Sequence, residues 1–379
     1  MLKPLVIQGL VIIIYLGKII KRLGEQNKVQ TITHEIPNIH PIFDDFDRMY
    51  NQLSVKEEQK SLFVNQYDPI FKDLYDTFVK FGHVGNIHYN PKEYPKIKTR
   101  KKSHNIIICF SGGKDSIAVA KYYKELNYNI YLYHMKHINQ SLADEHIYAK
   151  EIADYLGVPI FIDSIKLSGH HDYVEHPMKN MIIVNGAIQY GLRNNIGVNI
   201  ATGNYTTSSL RDDNFEFCGG DDIEMWWLYE DIIRRVLPNF EVNIPLKSLD
   251  DTLEMVCGEK ELLDMSVSCL CRHSMRDYWH DWVFTKYGIN IPKHRCGRCY
   301  KCCLEYIYMA DKDLQEYNED YYKYCFLNLR KNFQREDDKK YTNKMVWEHY
   351  FSHDIEESKY FKDKVVKNYH LKEREHKNV

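Results

Sequence analysis

From residue 105 onward, short apolar runs alternate with stretches whose apolar residues recur every three or four positions. Ile106–Phe110, Asn129–Tyr133, Pro159–Ile162, Val198–Ala201 and Val242–Ile244 read as strands. Helical periods fill the gaps: one to about Leu126, then Asp144–Leu156, Lys179–Arg193 and Glu224–Val236. Short strands separated by helices predict an α/β fold with a doubly wound, parallel, five-stranded sheet of the Rossmann-like kind. Ligands of such sheets bind beyond the carboxyl ends of the strands. Ser111–Ser116, His134–Met135 and Thr202–Gly203 all fall just past predicted strand ends, so three separate segments point to one crevice.

The flanks are patterned differently. Residues 27–90 read as mostly helical, as in Val55–Phe63 and Pro69–Val79. Lys92–Lys102 carries six Lys/Arg and reads as a solvated linker, with few aromatics to stack on nucleic acid. The expected organisation is a helical N-terminal extension over 1–100 and an α/β domain over 101–250. A Cys-rich helical segment over 251–328 and a charged tail over 329–379 complete it. Leu5–Ile20 is strongly apolar, but it is short for a membrane span and contains Gln8 and Lys18. It reads as a buried element, or as translation from a start codon upstream of the true one, ahead of a membrane anchor.

Composition narrows the classes. A chain of 379 residues with 44% hydrophobic content can bury a sizeable core. Its formal charge of −2 excludes a molecule that attracts nucleic acid through net charge. Of ten cysteines, six (Cys269, Cys271, Cys296, Cys299, Cys302 and Cys303) fall within 35 residues. Clustered C-x-x-C in a long chain points to metal in a reducing compartment, and the cytoplasm is the expected location.

Two motifs carry chemistry. In Ser111-Gly112-Gly113-Lys114-Asp115-Ser116, a β-branched run stops at a Gly-Gly turn and a helix begins. Backbone N–H groups and a helix N-terminus converge on an anion in that setting. Ser111 and Ser116 supply hydroxyls, Lys114 a point charge, and Asp115 a carboxylate for Mg²⁺. The spacing is neither G-x-G-x-x-G nor the Walker pattern. Further along, Cys296-Gly-Arg-Cys299-Tyr-Lys-Cys302 offers three thiolates for three corners of a tetrahedron. Cys269 is the chosen fourth ligand, with Cys271 and His273 as rivals, and the set suits zinc or an iron–sulfur cluster.

The hexapeptide resembles the pyrophosphate loop of the ATP pyrophosphatases, the adenine nucleotide alpha-hydrolases. Ser266-Val-Ser-Cys269 with Arg295-Cys296-Gly-Arg-Cys299-Tyr-Lys-Cys302 resembles the zinc knuckle of their 7-cyano-7-deazaguanine synthase branch. His176-Pro-Met-Lys179-Asn180 is similar to that branch's Pro-Gly-Arg-Asn segment, with Lys179 in place of the arginine, and Asn243-Ile-Pro245-Leu246 to its Pro-Leu stretch. The likeness runs from about 105 to 310.

The resemblance implies ATP, Mg²⁺ and Zn²⁺ as cofactors. It implies nucleotide contacts from Ser111, Gly112, Gly113, Lys114, Asp115, Ser116, His134, Met135 and Gly203. Lys114, Asp115 and Lys179 would be catalytic, Lys179 and Asn180 would meet the acceptor, and Cys269, Cys296, Cys299 and Cys302 would hold zinc. The expected reaction adenylates a carboxylate on a deazapurine-like acid, with ammonia as nitrogen donor. The alternatives are a thiolase modifying tRNA or DNA, and a nucleotide-binding subunit of a larger complex. Neither a nucleic-acid nor a membrane partner is favoured, and a homo-oligomer is left open.

Overall fold

The computed structural model describes residues 32–33, 39–46, 70–71, 93–98, 104–137, 145–165, 179–204, 223–247, 249–269, 271, 273–311 and 313–334. The apolar N-terminus, the helix expected at Val55–Phe63, most of Pro69–Val79 and the charged tail beyond 334 lie outside them. Residues 70–71 and 41–46 are helical.

The sheet is parallel throughout, and it follows the five strands of the hydrophobic pattern. β1 is Ile32–Thr33, β2 Asn105–Cys109, β3 Asn129–His137, β4 Ile160–Ile165, β5 Ile200–Ala201 and β6 Val242–Asn243, in the spatial order β1-β4-β3-β2-β5-β6. The sixth strand is a correction to the five-stranded expectation. Ile32 pairs with Asp163 and Thr33 with Ser164, adding a two-residue edge inside a region that reads as helical. Two residues carry no alternation, and pairing with β4 alone defines them.

Helices α1 (Lys114–Glu125), α2 (Glu145–Leu156), α3 (Lys179–Arg193) and α4 (Ile223–Arg234) connect these strands. Both faces of the sheet are covered, so β2 is a continuous apolar run whose alternate residues enter different cores. Ile106, Ile108 and Phe110 pack with Ile117 of α1 and Ile152 of α2. Ile107 packs on the other face with Ile188 of α3, Ile232 of α4 and Phe43 and Phe46 of the 41–46 helix. The stretch 93–98 has no regular structure but docks, Ile97 N–H donating to Val236 O at 2.7 Å.

Strand order reverses between β2 and β5, because the chain builds β2, β3 and β4 outward and then returns to lay β5 and β6 on the other side. That reversal is where a doubly wound sheet opens a crevice.

Beyond the sheet lie α5 (Leu249–Cys257), α6 (Lys260–Met265), α7 (His273–Tyr287), α8 (Tyr300–Asp311) and α9 (Glu319–Gln334). Leu253, Val256, Leu262 and Leu263 extend the α1 side of the core. Val283, Ile307, Tyr321 and Phe326 form a separate aromatic-rich core among α7, α8 and α9. Among the described residues no helix is long and apolar enough to cross a membrane.

Candidate active site and metal centre

The Ser111–Ser116 turn sits at the carboxyl end of β2, beside the reversal point. Gly112 has φ +78°, the left-handed region that side chains disfavour, and this lets the chain fold back into α1. Gly113 is the N-cap of α1 and makes no side-chain cap hydrogen bond. The turn is instead braced from within. Gly113 N–H donates to Ser111 Oγ at 3.2 Å, Ser116 Oγ–H donates to Gly113 O at 3.0 Å, and Ser111 N–H reaches Ser116 Oγ at 3.3 Å. Lys114 Nζ lies 3.4 Å from Asp115 Oδ1, with the lysine side chain 10% exposed and the aspartate 35%. A half-buried carboxylate beside a buried ammonium at a helix N-terminus suits a Mg²⁺-bound polyphosphate.

Gly203, just past β5, completes the crevice wall. A Cβ there would stand 3.0 Å from Asp115 C and Ser116 N, so a side chain at this position would press on the first turn of α1. The loop and Gly203, distant in sequence, are thereby brought together.

The sulfur atoms of Cys269, Cys296, Cys299 and Cys302 all lie within 4.8 Å of one another. Cys299 and Cys302 are 3.3 Å apart, and Cys296 and Cys302 3.9 Å. Zn–S bonds of about 2.3 Å in a tetrahedron separate the sulfurs by about 3.8 Å, so the donor set fits a single closed four-sulfur ion site. Backbone N–H groups of Cys271, Arg298 and Cys299 each point at a ligand sulfur at 3.3 Å. Hydrogen bonds from the thiols of Cys296, Cys299 and Cys302 hold the Cys269 thiol far below its ordinary pKa, while burial pushes Cys302 up. Cys303 is buried elsewhere, accepting from Asn328 Nδ2 at 3.3 Å.

Four residues, Ser266–Cys269, join the two sites. Val267 N–H donates to Gly112 O at 2.9 Å, and Lys114 N–H donates to Ser268 Oγ at 2.9 Å. Ser268 thus takes a helix-start N–H that Gly113, lacking a side chain, does not serve. The next residue, Cys269, belongs to the sulfur cluster. Arg295, 1% exposed, holds the start of this strap through Ser266 O and, at 2.8 Å, Ser266 Oγ. The same guanidinium is paired bidentately with buried Glu305, both contacts at 2.8 Å. Burial draws the Arg295 pKa down, and the Glu305 charge more than offsets it.

The other expected site residues divide. His134 and Met135 lie inside β3 rather than past its end, because pairing with β4 continues to His137–Ile165. His134 is 3% exposed and its Nδ1 meets Phe110 O at 2.8 Å, so its ring clamps the strand that feeds the loop. The Met135 side chain is buried in the α3-side core. Lys179 and Asn180 open α3 at the carboxyl edge of the sheet, on the face opposite α1. Sequence reasoning missed Ser268 and the Arg295–Glu305 pair. Ser268 and Arg295 stood inside quoted motifs and Glu305 just beyond one, but a capping partner 154 residues away leaves no local signal.

No family model matches the chain. Over 139 residues it is 28% identical to 7-cyano-7-deazaguanine synthase 2 of Sulfurisphaera tokodaii, covering 35% of this chain and 28% of that protein. The chain therefore spans little more than a quarter of that relative's length. Solved structures that it resembles include the U34-tRNA thiolase NcsA from Methanococcus maripaludis with its [4Fe-4S] cluster. That match is at 15% identity and TM-score 0.29, over 57% of this chain and 74% of the other. NMN synthetase from Francisella tularensis matches at 11% identity and TM-score 0.28, over 76% and 94%. A structure titled as a predicted subunit of tRNA methyltransferase from Methanocaldococcus jannaschii matches at 23% identity and TM-score 0.23, over 40% and 72%. The curated relative bears the name of the branch whose likeness was read from the cysteine segment.

Proposed function

We propose that this protein is an ATP-dependent ligase of the 7-cyano-7-deazaguanine synthase type. The braced Ser111–Ser116 turn at the strand-order reversal, with Gly203 closed against it, is the observation that carries the reading. ATP lies in the crevice with its β,γ-phosphates on the turn, and Asp115 takes part in holding Mg²⁺. Bound Mg²⁺ neutralises phosphate charge and orients the triphosphate.

A carboxylate oxygen of a planar heterocyclic acid attacks the α-phosphorus. The bond from that phosphorus to the bridging oxygen breaks, and pyrophosphate leaves with the electron pair. Ammonia then adds to the acyl carbon, loses a proton, and expels AMP to leave an amide. A second ATP activates the amide oxygen in the same way, and loss of AMP with the remaining N–H protons gives the nitrile. A carboxylate is already a nucleophile, so the first step needs placement and charge stabilisation rather than a base. Lys114 and Lys179 supply that charge, and Lys179 and Asn180 meet the acceptor.

The four cysteines hold one structural Zn²⁺. Four sulfurs all within 4.8 Å of one another support a single ion, since a [4Fe–4S] cubane places each thiolate on a different iron and spreads the sulfurs wider. The test is incubation with ATP, Mg²⁺, ammonium and 7-carboxy-7-deazaguanine. AMP, pyrophosphate and the mass of the amide or nitrile are expected. AMP release driven by a nucleic acid, and not by the acid, would replace this reading with a base-modifying one.

A further inference from the structure

Gly113 stands between the two peptide groups at the middle of the turn. One of them carries Gly112 O and the other carries the Lys114 N–H. The strap takes both: Val267 N–H donates to Gly112 O, and Lys114 N–H donates to Ser268 Oγ, each at 2.9 Å. A residue without a Cβ restrains neither peptide by its own sterics, so their orientation is set from outside. The strap lies flush on this point, since a Cβ on Gly113 would stand 3.4 Å from Val267 O and 3.6 Å from Ser268 Oγ. Two of the turn's internal bonds are longer, at 3.2 Å from Gly113 N–H to Ser111 Oγ and 3.3 Å from Ser111 N–H to Ser116 Oγ.

The strap is itself positioned from both ends. At its start Ser266 is fully buried, its N–H donating to Leu262 O at 2.9 Å and its Oγ–H to Leu263 O at 2.8 Å. Arg295 adds its bond to Ser266 O. At its end Cys269 shares a site with the sulfurs of Cys296, Cys299 and Cys302. Thiolates this close repel one another, so the position of Cys269 depends on the cation that the four share. A single planar peptide joins Cys269 to Ser268 and holds their Cα atoms about 3.8 Å apart. A shift of Cys269 by about 1 Å, passed on to Ser268, takes a 2.9 Å hydrogen bond out of range.

We propose that the 266–269 strap makes occupancy of the four-cysteine site set the affinity of the turn for ATP, with Ser268 as the positioning residue that carries the coupling. This rests on the readings that the turn binds ATP and that the cysteines hold zinc. Ser268 need not touch the nucleotide. It fixes the Lys114 amide at the start of α1, and Val267 fixes the peptide before it. Such coupling is reciprocal, so bound MgATP also tightens the metal.

The test measures MgATP binding to the full-length protein by calorimetry, alongside melting curves and zinc content. Zinc-loaded Ser268→Ala should keep its metal and melt close to wild type, yet bind MgATP roughly tenfold more weakly. Ser268→Thr, which keeps a hydroxyl, should bind within about threefold of wild type. Stripping the zinc with a chelator should weaken MgATP binding of wild type by roughly tenfold or more, and that of Ser268→Ala far less, because its link is already cut. If the metal-free chain loses its circular dichroism spectrum, zinc-loaded and cadmium-loaded proteins are compared instead, the larger ion displacing Cys269. Affinity should then differ between the two metals in wild type and not in Ser268→Ala. If Ser268→Ala cannot hold zinc, the metal dependence of wild type decides alone. Equal MgATP affinity in zinc-loaded wild type and Ser268→Ala, or equal sensitivity of both to the metal, overturns the proposal and leaves the ATP reading standing. Zinc-loaded wild type that binds no MgATP sinks the ATP reading, and this one with it.

Discussion

Arg295→Met removes the guanidinium that Glu305 and Ser266 share. Both ionic side chains are nearly sealed from water, at 2% and 3% exposure, so solvent does little to screen the loss. Breaking a buried pair on one side strands the other charge and costs about 3–5 kcal/mol. Against a total stability of about 5–15 kcal/mol, that is about a fifth or more of the whole. The melting temperature should fall by on the order of 10 °C. Arg295→Met/Glu305→Leu removes both charges and should recover most of the loss. Recovery of stability should not bring recovery of nucleotide binding, because the double variant still lacks the two hydrogen bonds on Ser266. Urea unfolding of metal-loaded protein, followed by circular dichroism, measures the first quantity, and ATP calorimetry the second. A cost under about 1 kcal/mol for the single change, or a double variant no more stable than the single one, would refute the reasoning.

Other outcomes are equally direct. Ser111→Ala, Lys114→Ala and Asp115→Ala should each abolish cleavage of the α,β bond of ATP while leaving the circular dichroism spectrum unchanged; undiminished AMP release from all three removes the turn from the mechanism. Freshly purified protein should carry one zinc per chain by elemental analysis, without the brown absorption of iron–sulfur. Cys269→Ser should lose the metal and melt lower, because binding energy at a structural site is folding energy, and Cys303→Ser should keep it. Gly203→Val should leave overall stability within about 1–3 kcal/mol of wild type while sharply weakening ATP binding, since its side chain would press on Asp115 and Ser116. Wild-type affinity in that variant would mean that the crevice wall yields.

The central sheet was legible because periodicity registers any element that is long enough and buried on one or both faces. Five strands and the four helices between them follow from it within a few residues. Ile32–Thr33 did not, because a two-residue edge strand owes its existence to the partner it pairs with. The same cause displaced His134 and Met135: cross-strand pairing carried β3 onward to His137 and turned two expected loop residues into strand. The sulfur cluster was legible from spacing, since C-x-x-C-x-x-C brings three ligands together locally. Ser268 and the Arg295–Glu305 pair were not, because their significance lies in contacts that only the folded chain defines.

The strap also fixes what kind of genetic change this region can absorb. Val267 and Ser268 answer to the turn, and Cys269, the very next residue, answers to the sulfur cluster. A residue spans about 3.3–3.6 Å of extended chain, which exceeds the tolerance of a hydrogen bond or a metal–sulfur bond. Inserting or deleting a single codon between Val267 and Cys269 would therefore satisfy one site only by abandoning the other. Substitutions there can be tested one at a time, but the length of the stretch is a single indivisible trait.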